Sequence, residues 1–413
     1  MNTKIKLLSI LLTSSVSSMA FAQGVTTQQA PGTDNTSFYQ STINQLNQSN
    51  GDGDQVALSQ DWTKYLTLSG TMYTDAKGGD LSYATQGENS ERLSVTNAHL
   101  TIEATPNTWS QLTLVTNYSG ASGTYGANPS DSDFTSSSTT DNPVYVDQAY
   151  ATFGDESRYP IFAQIGRQYL PFGQYDVNPI VKSLGQVLTE MNTTDAQVGF
   201  VVPEGLYGST YIFQNSVNSD GDSSGTDPYN GGAVLGFKKS NEEMQFDTGV
   251  GYLSNMSGVD SVANYLNENN AGYGSSVAAL APYASFQTGP FGIKADYVTA
   301  LSSFDKTTLP YQATTDNGAK PSAIDGQASY AFNVRDMDNV LFVGYQVSNQ
   351  ASALNLPKKR YDVGYNVYPW KNVLLGLEVT QDINYGGSST VDVGDTADGE
   401  KYYTYNARVG IQF

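Results

Sequence analysis

Residues Tyr402–Phe413 read Y-Y-T-Y-N-A-R-V-G-I-Q-F, and their alternation sets how the rest of the chain is read. Tyr403, Tyr405, Ala407, Val409, Ile411 and Phe413 fall on one phase of a two-residue period, whereas Thr404, Asn406, Arg408, Gly410 and Gln412 fall on the other. Successive side chains of a β-strand point to opposite faces, so this stretch has one apolar and one largely polar face. Such a strand fits either the edge of a soluble sandwich or the wall of a membrane barrel.

Outward from this stretch the same alternation recurs in sixteen segments, beginning with Leu66–Ala76, Leu93–Ala104, Trp109–Tyr118 and Val144–Phe153. Their lengths suit tilted membrane-spanning strands, which need about 9–11 residues. The connections separate barrel from sandwich. Short ones such as Thr105–Thr108, Pro203–Gly205, Thr288–Pro290 and Pro369–Asn372 alternate with long ones such as Ser119–Pro143, Tyr169–Thr193, Ser257–Ser275 and Ser302–Pro321. A sandwich has no reason to keep that parity, but short periplasmic turns and long extracellular loops require it. The expected fold is all-β: a sixteen-stranded antiparallel transmembrane β-barrel over residues 61–413, in a bacterial outer membrane.

The preceding residues read as targeting and leader. Lys4 and Lys6, the apolar run from Leu7 to Leu12 and the small-x-small site Ala20-Phe21-Ala22 make residues 1–22 a signal peptide, its apolar run too short to span. Residues 23–60, rich in Gln, Asn, Ser, Thr and Gly, read as a flexible periplasmic leader, too small for a globular plug. Tyr39, Ile43 and Leu46 leave open a short helix near Ser37–Gln48. Forty acidic side chains stand against 20 basic ones, which argues against nucleic-acid binding and suits solvent-exposed loops. There is no cysteine, hence no disulfide or thiolate metal site. The 40 glycines and 29 tyrosines suit a protein of many turns with aromatic girdles at two interfaces.

Charge phasing points the same way. Glu103, Asp247, Lys294, Asp296, Asp325, Asp362, Glu378 and Arg408 lie opposite the apolar positions of their segments. A Lys or Arg facing lipid near the midplane costs about 2–4 kcal/mol, so these side chains, with Arg360, are expected to line the lumen. Trp62, Trp109 and Trp370 all fall at or beside the expected periplasmic end. One hairpin breaks the rule, because Asp147 and Arg167 share the apolar phase of their strands. Pairing Phe153 with Ile161 sets them opposite each other, as a cross-strand ion pair or, alternatively, at a subunit interface.

The connection Tyr169–Thr193 differs from the other, Ser/Gly/Asp-rich outer loops. It carries Leu170, Phe172, Ile180, Leu184, Leu188 and Met191, which need burial. Folding into the bore would bury them; packing over the barrel mouth or in a subunit contact is the alternative. Phe172, Tyr175, Asp176, Lys182 and Glu190 are the candidate constriction residues. Asp220-Gly221-Asp222 with Asp227 departs from EF-hand spacing and reads as a solvated loop. The one histidine, His99, lies on the lumen phase, where it cannot complete a lipid-facing Ser–His pair. No catalytic residue, metal site or cofactor is expected.

Ile165-Gly166-Arg167-Gln168-Tyr169-Leu170-Pro171-Phe172-Gly173, with the stretch to Glu190, resembles the LbtU-type siderophore porin family. Leu170-Pro171-Phe172-Gly173 is more loosely similar to phosphate-selective porins. The resemblance implies TonB-independent uptake of ferric siderophore. A general diffusion porin for small hydrophilic solutes and a structural or adhesive surface barrel are the alternatives. Outer-membrane lipid and lipopolysaccharide are the expected surroundings, with a homo-oligomer possible. The lumen shows no basic ladder for phosphate, since Lys294, Arg360 and Arg408 face a majority of acids.

Overall fold

A computed structural model describes residues 65–79, 92–118, 144–155, 158–174, 178–217, 229–241, 244–269, 271–311, 317–386 and 398–413. The signal and leader segments, Trp62, the pair Tyr175 and Asp176, and the acidic stretch Asp220–Asp227 lie outside the described residues.

Sixteen strands of the described residues close into one antiparallel barrel, each paired with its sequence neighbours. In chain order they are β1 (Leu66–Gly79), β2 (Arg92–Asn107), β3 (Ser110–Tyr118), β4 (Val144–Phe153), β5 (Ile161–Tyr169), β6 (Asn192–Val201), β7 (Leu206–Gln214) and β8 (Tyr229–Ser240). They continue as β9 (Met244–Leu253), β10 (Ala279–Thr288), β11 (Phe291–Ala300), β12 (Ser322–Val334), β13 (Met337–Asn349), β14 (Lys359–Trp370), β15 (Val373–Tyr385) and β16 (Asp398–Gln412). Closure is made by β1 and β16, in a register that runs from Thr71 opposite Gln412 to Gly79 opposite Thr404. Phe413 and Gly70 exchange two backbone hydrogen bonds, of 3.0 and 3.1 Å, just beyond it. A closed barrel leaves no unpaired strand edge, which is why it is one of two architectures that survive in hydrocarbon.

The outer face is what lipid requires. Leu68, Leu112, Ile165, Val198, Ile212, Ile293, Leu341, Val363, Leu377 and Val409 are exposed around the ring. Aromatic clusters flank this band. At the short-turn end Trp109 meets Tyr159, and Phe291 meets Tyr330, with ring centroids 5.8 and 5.1 Å apart. Trp370 and Phe413 are exposed at the same end. Toward the long loops Tyr345 pairs with Tyr361 at 4.9 Å.

The Asp147–Arg167 bridge does not form. Phe153 pairs with Ala163 rather than Ile161, so Arg167 lies opposite Ala149. The β3–β4 register also shifts between Val115 and Thr116, which face Gln148 and Val146, leaving Asp147 as the extra residue of a bulge. That residue re-phases the strand and turns Asp147 inward, to 3% exposure, while Arg167 stays exposed. Arg167 Nε donates to the backbone carbonyl of Asp147 at 3.2 Å. The carboxylate instead accepts from Tyr169 Oη and Asn192 Nδ2, at 3.2 and 3.1 Å.

Candidate functional site

The long β5–β6 connection makes hydrogen bonds to side chains on six strands of the wall. Strand pairing of Tyr169 with Asn192 and Gln168 with Thr193 extends both strands, leaving residues 170–191 as the loop. Its apolar residues do find burial: Leu170, Phe172, Leu184, Leu188 and Met191 have no exposed surface. They join one core with Met256, Val262 and Leu266 of the β9–β10 connection, Phe304 and Leu309 of the β11–β12 connection, and Leu354 and Leu356 of the β13–β14 connection. Transfer of each such side chain from water is worth about 1.5–3 kcal/mol, so the loop is held on its apolar side by the other connections.

On its polar side the loop is tied to the barrel wall. Gln174 Nε2 donates to Asp247 on β9 at 3.5 Å, and Lys294 on β11 donates to the Gln174 carbonyl at 3.2 Å. Asn178 donates to Gln327 on β12 at 2.9 Å and accepts at its carbonyl from Asn366 on β14 at 3.0 Å. The backbone N–H groups of Ile180 and Val181 both donate to Glu378 on β15. Arg360 on β14 donates to the Lys182 carbonyl at 2.9 Å, while its other guanidinium nitrogens grip Asp382 at 2.7 Å.

A helical turn, α1 (Leu184–Val187), follows. The first amides of a helix have no partner inside it. Here Leu184 N–H donates to Gln346 on β13 at 2.9 Å and Gly185 N–H to Asp325 on β12 at 2.7 Å. Gly185 is required by this approach, since a Cβ there would overlap the Asp296 and Asp325 carboxylates. Ser183 caps the turn by accepting from Gln186 N–H.

The returning limb is locked to a helix, α2 (Asp260–Glu268), in the β9–β10 connection. Ser261 Oγ donates to the Val187 carbonyl at 2.7 Å, and Asp260 N–H to the Glu190 carbonyl at 2.9 Å. In return the Asp260 carboxylate accepts from Asn192 N–H at 3.1 Å. Burial, reinforced by the nearby Glu190 carboxylate, pushes the Asp260 carboxyl up to about 8; the Asn192 N–H, Lys182 and Arg167 pull the other way.

The expected site residues therefore divide. Phe172 is a core residue, and Lys182 and Glu190 form a 2.7 Å ion pair within the loop. Asp247, Lys294, Asp325, Arg360 and Glu378 contact the loop directly. Asp296 lies 3.7 Å from Lys294, and Asp362 accepts from Gln346. Arg408 pairs with Asp75 on β1 through two bonds of 2.8 and 2.7 Å and lies 4.7 Å over the Tyr73 ring. Glu103 is half-buried on β2, in register with Thr67 and Thr113. Tyr175 and Asp176 are outside the described residues.

Asp75, Asp382, Gln327, Gln346 and Asn366 went unpredicted. Asp75 and Asp382 sit on the polar phase of β1 and β15, so the same phasing argument would have found them. The three amides carry no charge to mark them. Among the described residues, no group of three or more His, Asp or Glu side chains is placed to hold a metal ion.

No family model matches the chain. It is similar to a UPF0422 protein of Coxiella burnetii, 29% identical over 59% of this chain and 52% of that protein. The chain spans about half the length of the curated relatives it matches. Among solved structures it resembles an anion-selective porin from Comamonas acidovorans, with TM-score 0.56 and 11% identity over 84% of this chain and 99% of that one. It also resembles the outer membrane channel DcaP of Acinetobacter baumannii, with TM-score 0.54 and 12% identity over 84% and 97% of the two chains. Together with the apolar outer face and its aromatic borders, these likenesses identify a sixteen-stranded membrane barrel with the fold of outer-membrane porins.

Proposed function

We propose that the protein is a passive channel for hydrophilic solutes, with residues 170–191 as a fixed constriction. The carrying observation is the attachment of that loop to β9 and β11–β15 by wall side chains and to the outer connections by an apolar core. Sixteen strands enclose an aqueous bore, so whatever narrows it sets what passes. Single-channel recording on the purified full-length protein in planar bilayers tests this. Stable open-channel current is expected; a silent barrel would favour a structural or adhesive role.

Ferric siderophore is the second cargo reading, favoured by the resemblance carried by Ile165–Gly173 with the stretch to Glu190. That motif has a structural use in any case. Leu170 and Phe172 anchor the loop in the apolar core, and Gly173 lies against Thr189, where a Cβ would not fit. Uptake of labelled ferric siderophore by a deletion strain tests the cargo, and uptake equal to the parent strain removes it.

A further inference from the structure

Arg167 sits on the outer face of β5, exposed and in phase with Ile165, while Gln168 beside it is buried. Its cross-strand neighbours on that face are Ala149 on β4 and Thr194 on β6, neither of which carries a charge. The bulge in β4 has turned the Asp147 carboxylate to the other side of the wall. The same bulge fixes the arginine. Its carbonyl accepts from Arg167 Nε at 3.2 Å and from Asn192 Nδ2 at 3.1 Å. A guanidinium carries five N–H donors in a planar fork, so anchoring Nε leaves the two terminal nitrogens for an acceptor outside the wall.

Height on the barrel says what lies outside. Arg167 is eight residues beyond Tyr159, which stacks with Trp109 in the aromatic border at the short-turn end. At the rise and tilt of a barrel strand this puts it roughly 20 Å up an apolar band about 25 Å tall. The long arginine stem covers the rest, which brings the guanidinium to headgroup level on the long-loop side. Polar groups continue along the outer face from there. Thr194 pairs with Arg167, and Gln214 follows at the next step of the β6–β7 ladder beyond Asp195 and Phe213. Gln214 in turn pairs with Tyr229 on β8. Thr194, Gln214 and Tyr229 are exposed, whereas Asp195, Phe213 and Asn230 beside them are buried.

We propose that Arg167 binds the phosphate of a lipid headgroup in the leaflet on the long-loop side, with Thr194, Gln214 and Tyr229 along the headgroup's hydroxyls. In an outer membrane the phosphorylated glycolipid of that leaflet is lipopolysaccharide. The site is independent of what the bore carries. A planar guanidinium meets phosphate oxygens through two parallel hydrogen bonds, and both partners are charged. A second copy of the chain fits less well. Among the described residues the outward phases of β4–β7 hold no Asp or Glu, so a copy docking through the same patch would offer Arg167 no acid to pair with.

The test is native mass spectrometry of the purified full-length protein, mixed with diphosphoryl lipid A and, separately, with a galactosyl diacylglycerol, which has a sugar but no phosphate. Lipid A is expected to be held at least about tenfold more tightly. Arg167→Gln is expected to retain one lipid A fewer than the parent. Because that change also alters a tie to the bulge, Thr194→Glu is read alongside. It sets a carboxylate against the guanidinium without touching the Asp147 carbonyl, and the same loss of one lipid A is expected. Equal retention of the two lipids, or a lipid A count unchanged in either folded variant, overturns the proposal. So does displacement of lipid A by excess inorganic phosphate, which would mark a site for the free ion. An oligomer that comes apart in Arg167→Gln while the lipid A count holds assigns the face to a second copy instead.

Discussion

The carboxylate of Glu378, on β15, accepts the backbone N–H of Val181 at 3.2 Å and also that of Ile180. These partners are almost two hundred residues apart in sequence, and they fix the far reach of the constriction loop to the wall. Each such hydrogen bond is worth about 0.5–1.5 kcal/mol, and this side chain supplies two. Glu378→Ala should leave the barrel folded but release the loop tip. Larger and noisier single-channel conductance is expected; a conductance trace identical to the parent's would show that the remaining ties suffice.

Asp75 and Arg408 join β1 to β16 at the closing seam, and both are buried. Removing one partner of a buried pair strands the other and costs about 3–5 kcal/mol. Asp75→Ala should therefore lower the heat-dissociation midpoint of the folded barrel on gels more than Asp75→Ala with Arg408→Met does. Equal midpoints would mean that water takes over the role of the missing carboxylate.

The bulge at Asp147 makes a separable claim about energetic coupling. A double-mutant cycle on Asp147→Asn and Arg167→Ala should give a coupling below about 0.5 kcal/mol, because Arg167 bonds to a carbonyl that the substitution leaves in place. The cycle on Asp147→Asn and Tyr169→Phe should give about 1 kcal/mol, the worth of the Tyr169 hydrogen bond. Reversed magnitudes would restore the side-chain ion pair.

Asp260 gives the loop cap a pH dependence. Its carboxyl is raised from 3.8 to about 8, so between those values the folded state holds a proton that the unfolded state has lost. Stability from this group is full below about pH 4, falls as pH rises toward 8, and is flat above it. Amide hydrogen exchange at Asn192, corrected for intrinsic rate, should speed up from pH 6 to pH 9. Asp260→Asn keeps a carbonyl for the Asn192 N–H and removes the ionisation, so its corrected exchange should not change.

Period-two alternation and loop parity carried nearly the whole fold, because a barrel wall in lipid allows few polar residues such as Arg167 on its outward face. Arg408 and Glu378 were legible as inward for that reason. Asp147 was not. One inserted residue changed its face, and a bulge leaves no mark in a pattern that merely counts residues from the nearest hydrophobic. That residues 170–191 need burial could be read from Leu170, Phe172 and Leu184; that they pack with the other long connections could not. The loop's neutral attachment points could not either, since Gln327, Gln346 and Asn366 act as uncharged hydrogen-bonding groups and reach backbone atoms or amides far away in sequence.

The loop leaves the wall between β5 and β6 and is gripped by Arg360 and Asn366 on β14, eight strands round the ring from β6. A segment held at both ends of a diameter is a mechanical strut. Lateral pressure from the bilayer that flattened the cylinder along this diameter would compress the strut, and flattening at right angles would stretch it. The loop's ties to β14 thus brace the ring of strands along that diameter.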